Sequence, residues 1–172
     1  MFTTLYHLLS QRLADKVPAL QQIELYNGQY LQTENELPLA LPACFIEFEN
    51  IQWNDTGLHT QEGVFDIAFH LACQHVLPTN GFNTGSYNAQ QYRQVLELAQ
   101  ELHLALHGYV MKDPNGLIHA TELRRTTTRP DTNADGLHIW VTTYQANVID
   151  NTSNRDKSYE PFIIPRLVTQ KQ

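Results

Sequence analysis

The sequence predicts an α+β domain in which two helices pack on one face of a mainly antiparallel sheet of about five strands. Three observations carry that prediction. Apolar residues recur at helical spacing in two well-separated stretches. They alternate with period two in the runs "PACFIEFENIQW" and "HTQEGVFDIAFHLACQH". The order of elements, helix, three strands, helix, two strands, sets the helices apart from the strands instead of alternating with them, and so favours a layered α+β fold.

Each element follows from local chemistry. Phe2, Leu5, Leu9 and Leu13 form one helical stripe, and Pro18 ends it, giving a helix over residues 3–16. "QQIELYN", 21–27, reads as a short strand closed by Asn27-Gly28, and residues 28–41 as a loop carrying Pro38. The next strand, 42–53, ends in the turn signal "NDTG", and 59–75 follows it. "LPTNGFNTGSYN", 77–88, has loop composition. Val95, Leu98, Leu102 and Leu106 mark the clearest helix, 89–108, with Gly108 at its end. After a turn at 113–116, residues 117–129 and 136–150 form a last pair of strands around the polar loop "PDTNAD". Residues 1–150 form a single domain, and 151–172 are a C-terminal extension expected to pack late or on a neighbouring molecule.

Parity fixes the register of the central hairpin. Cys44, Ile46 and Phe48 form the inward set of one strand, and Phe65, Ile67, Phe69 and Leu71 that of the other. Opposed residues share a face, which pairs Phe48 with Ile67, Ile46 with Phe69 and Cys44 with Leu71. The opposite face then places Glu49 across from Asp66, with Glu47 and His70 nearby. Carboxylates and a histidine on one surface are compatible with acid–base or metal chemistry, so a small metal-dependent hydrolase using Glu47, Glu49, Asp66 and His70 is one reading. Their mid-strand positions favour a solvated or interface-facing acidic sheet face instead, because sites collect on loops and strand ends. His103 and His107 have the i, i+4 spacing of a metal pair, but no Glu follows His103, and a polar helix edge is expected. No phosphate-cradling glycine loop, nucleophile elbow or CxxC occurs. No enzyme activity, cofactor or metal is expected.

Charge and composition narrow the class further. The chain of 172 residues has a net charge of −7. Residues 1–90 hold nine acids against Arg12 and Lys16, and no Lys or Arg occurs between Lys16 and Arg93. Gripping phosphates demands the opposite sign, so nucleic-acid binding by this half is disfavoured. Cys44 and Cys73 lie in apolar strand runs and are expected as buried free thiols of a reducing compartment. The first residues lack the basic and apolar regions of a signal peptide, and no apolar run is long enough to span a membrane; folding in a cytoplasm is the expectation.

The element order, the first helix ending at "VPAL", the strand "PACFIEFENIQW" and the following "G…FDIAFHL" together resemble the tail terminator (tail-to-head joining) proteins of long-tailed bacteriophages and their prophage relatives, of the minor tail protein U type. The resemblance covers about residues 1–150; the Asn/Gln-rich loops and the extension depart from it. It implies a structural virion protein that forms a ring, usually hexameric, at the end of the tail tube, stops tube growth and offers the surface on which the head docks. Another head–tail neck or adaptor subunit is a neighbouring possibility. The implied partners are other copies of the chain, the tail tube protein and a head-completion or connector protein, with DNA passing without specific binding and no membrane involved. The implied location is the virion tail, after assembly in the host cytoplasm. Within such a ring, Glu47, Glu49 and Asp66 are candidates for an acidic face lining the DNA channel, since like charge repels phosphate. Arg124, Arg125 and Arg129, the densest basic cluster, are candidates for a head-to-tail subunit contact with a neighbour's Glu34 and Glu36 or with its acidic sheet face.

Overall fold

A computed structural model describes residues 1–31, 39–57, 60–75, 85–131 and 136–150. The chain runs α1 (Phe2–Lys16), β1 (Gln22–Leu25), a 3-10 turn (Gln29–Leu31), β2 (Ala43–Gly57), β3 (Thr60–Gln74), α2 (Tyr87–Leu106), β4 (Val110–Lys112), β5 (Ile118–Glu122), β6 (Arg124–Asp131) and β7 (Leu137–Asp150). The expected α+β class holds; the described residues include seven strands in one sheet ordered β1-β2-β3-β7-β5-β4, with β6 also paired to β7. β1 lies parallel to β2; the other pairings are antiparallel.

Both α-helices sit on one face because each carries a single apolar stripe. Leu5, Leu9 and Leu13 of α1 and Leu98, Leu102 and Leu106 of α2 meet Ile46, Phe65, Ile67, Phe69, Leu71 and Tyr144 of the sheet in one core. The Arg12 side chain ties the helices by donating from Nε to the Ala105 carbonyl at 2.9 Å while its guanidinium lies over the Tyr109 ring. Ser86 caps α2 by accepting the Ala89 N–H on its Oγ, and Gly108, at φ +76°, turns the chain out of it.

The expected pairs Phe48–Ile67, Ile46–Phe69 and Cys44–Leu71 are all present. The pair Glu49–Asp66 is not. The ladder shifts between Phe48 and Ile51, so that Glu49 and Asn50 together stand against the single residue Asp66, a β-bulge. The extra residue reverses parity, which is how the odd-numbered Ile51 and Trp53 rejoin the helix-facing core beyond the even-numbered Phe48. Trp53 lies directly across from Gly63, and a Cβ there would meet its ring at 2.8 Å.

Two further expectations are corrected. The "NDTG" segment continues the hairpin ladder, with Asn54 opposite Glu62 and Asp55 opposite Gln61, so β2 runs four residues past the expected end at Trp53. The expected single strand 117–129 is two strands. Leu123, fully buried, breaks it by exchanging backbone hydrogen bonds with Gly108 and Tyr109. As a result β5 joins β4 and the far end of β7, while β6 pairs with the near part of β7. β4 was not expected, because three residues are too short to show a period. Of the expected loops, residues 32–38, 76–84 and 132–135 lie outside the described residues, as do 58–59 and the extension 151–172.

Candidate functional surface

The face opposite the α-helices is not uniformly wet, as its charges suggested. Its upper half carries a second small core of Tyr30, Ala43, Phe45, Ala68, Ala72, Ile139 and Val141, covered by Tyr26, Leu39 and Leu41. His70 is held at the edge of this core and is 4% exposed. Its Nε2 lies 2.8 Å from Glu47 Oε2, its Nδ1 lies 2.7 Å from the Tyr30 hydroxyl, and the Tyr26 ring stacks on it at 4.1 Å. The Tyr30 hydroxyl also reaches Asp131 Oδ2 at 3.1 Å. Burial lowers the His70 pKa, and the Glu47 carboxylate opposes that shift. Glu47 and His70 do come together, as parity implied. Tyr30, Tyr26 and Asp131 were missed: they arrive from positions 40, 44 and 61 residues away in sequence, and the Tyr26/Tyr30 spacing around the "NG" turn was the one hint of an aromatic pair folding back.

The lower half of this face holds the expected acids. Glu49 is exposed, and its carboxyl is pushed up by partial burial and then by the charges of Glu47 and Asp66, with Arg129 pulling it down. Asp66 accepts a hydrogen bond from the Gln145 amide at 3.1 Å. The three carboxylates therefore share one field. Among the described residues no group of three or more His, Cys, Asp or Glu side chains is arranged to hold a metal ion.

β6 divides the arginines between the two faces. Strand alternation and an irregularity at Thr126 place Arg124 opposite Gln145, Arg125 opposite Tyr144 and Arg129 opposite Val141. Arg124 and Arg129 thus share the acidic face, and Arg125 points to the helix side, where its charge adds to burial in lowering the His103 pKa. Arg124 forms an ion pair with Glu122 of its own chain. Glu34 and Glu36 lie outside the described residues. His103 and His107 stack loosely at 4.9 Å, and His103 Nδ1 meets the Tyr144 hydroxyl at 3.1 Å, the polar helix edge expected from their spacing. Cys44 and Cys73 are buried free thiols, with burial pushing Cys73 up to about 11.

No family model and no curated protein matches the chain. Among solved structures, a chain from the virion of a native gene transfer agent particle is similar at 13% identity and a TM-score of 0.48, covering 84% of this chain and 94% of that one. A likeness of that strength transfers neither function nor partners.

Proposed function

We propose that the protein is a non-enzymatic, ring-forming virion subunit of the tail-terminator type, which caps a phage or prophage tail tube and offers a docking surface to the head. The observation that supports this reading is the make-up of β6. It is exposed from Arg124 to Pro130 and presents three arginines and no large apolar residue, while the acids Asp66 on β3 and Glu47 and Glu49 on β2 lie two and three strands away. Exposed bases on one strand and acids on other strands of the same molecule suit a heterologous contact, and such a contact closes into a ring when the rotation permits. In that ring the neighbour's Glu34 and Glu36 meet Arg124 and Arg125, and the acidic face turns toward a channel through which DNA slides without being held. A hexamer, the tail tube protein and a head-completion protein are the assembly and partners this reading names.

The test is the mass of the protein in dilute salt, by light scattering, with negative-stain microscopy for the shape. The expected result is a closed ring for the native chain and a folded monomer for Arg124→Glu with Arg125→Glu. A native chain that stays monomeric at high concentration, or a ring indifferent to both reversals, removes the proposed contact. Addition of purified tail tubes separates a terminator, which caps their ends, from another neck subunit, which does not.

A further inference from the structure

Beyond the acidic cluster, the face opposite the α-helices ends in a patch that none of the described elements covers. Alternation brings Glu62, Val64 and Asp66 of β3 beside Gln145, Asn147 and Ile149 of β7. A groove of about 270 Å³ opens there, lined by Val64, Ile118 and Ile149 with Glu62 at its rim. Through Ile118, Thr121 and Asn147 it runs into a second groove of about 480 Å³ that reaches Arg124. Val64, Ile118 and Ile149 are 40%, 54% and 57% exposed, and Leu117 beside them is 58% exposed. Aliphatic side chains clustered in this way mark a contact surface.

β7 delivers the chain to this groove, since Ile149 lines it and Asp150 is the last described residue. The sequence that follows is suited to fill it. Residues 151–160 are polar; Phe162, Ile163 and Ile164 then stand between Pro161 and Pro165, followed by Arg166, Leu167 and Val168. Residues 151–172 hold four bases and two acids, a charge of +2, and the remaining 150 residues carry −9. A ten-residue polar connector reaches up to about 35 Å when extended, ample to double back onto a groove lined by Ile149, two residues before it. The flanking prolines cannot donate to a strand ladder, which favours docking by side chains onto the sheet face over pairing at an edge.

We infer that residues 162–166 of this chain fold back into its own β3–β5–β7 groove, with Phe162, Ile163 and Ile164 on Val64, Ile118 and Ile149, and Arg166 toward Glu62 and Asp66. The inference is independent of ring formation. It is tested in the full chain with p-benzoylphenylalanine in place of Ile163, irradiated as an equal mixture of isotope-labelled and unlabelled protein. Cross-links within one chain to residues 62–64, 117–121 or 147–149 are expected. Val64→Asp with Ile149→Asp, at two exposed positions, should lower their yield at least tenfold with the circular dichroism unchanged. Val64→Thr with Ile149→Thr, a milder pair well suited to strands, should lower it severalfold. Cross-links to the helix face, cross-links between labelled and unlabelled chains, or yields untouched by the variants would overturn the inference.

Discussion

His70 shows how much one buried side chain draws on its surroundings. A neutral imidazole donates once and accepts once, so Nε2–H serves Glu47, and Nδ1 and Asp131 compete for the single proton of the Tyr30 hydroxyl. The folded ring titrates below its ordinary value because burial penalises the imidazolium. The unfolded chain therefore binds this proton more readily. The contribution of His70 to stability is complete above the unfolded pKa of about 6.5 and is lost as pH falls toward the folded value. Glu47 is the leading opposing influence. Glu47→Gln should consequently lower the His70 pKa further, followed by NMR of its Cε1–H; a pKa that stayed or rose would show that Glu47 does not stabilise the cation. Parity in the sequence was enough to put His70 and Glu47 on one face. It could not show that a turn from residues 26–31 would cover them, because that packing depends on contacts 40 residues apart.

Between β2 and β3 the legible part of the fold ends at one bulge. Up to Phe48 the alternation of apolar and polar residues reports the register faithfully, since a one-residue slip would turn every buried side chain outward. At Glu49 and Asn50 two polar neighbours leave no apolar marker of which residue is extra, and parity extrapolated through them gives the wrong partner for Asp66. The corrected register explains Gly63. Once the bulge has returned Trp53 to the helix side, its ring lies across the strand opposite, where only a residue without Cβ fits. Gly63→Ala should lower stability by about 1–3 kcal/mol through overpacking, measured by urea denaturation. Wild-type stability in that variant would mean that the Trp53 ring has room to move aside. The division between β5 and β6 was equally illegible, because a lone buried leucine within a strand-like run looks the same whether the strand continues or breaks.

At the scale of the whole molecule, the exposed arginines of β6 give the proposed ring contact a testable dependence on salt. Exposed charges feel one another over about 10 Å in 0.1 M salt and about 3 Å in 1 M. If charge carries the contact between subunits, the mass seen by light scattering should fall steadily across that range. A constant mass would assign the contact to apolar burial. Overall charge, the two helices and the helix-facing core were all legible at this scale, because each is a property summed over many residues. Where β7 changes partners was not. β3 pairs with β7 from Leu137 to Asp150, whereas the other side of β7 is shared between β6 and a brief contact with β5. This fork makes the molecule mechanically uneven. Tension applied along β7 from Asp150 loads the whole β3 ladder at once, in shear, while β6, lifted from its Asp131 end, unzips one pair at a time. β7, the last described strand, is thus held along its full length against being drawn out, whereas β6, which carries the arginines, can be peeled away pair by pair.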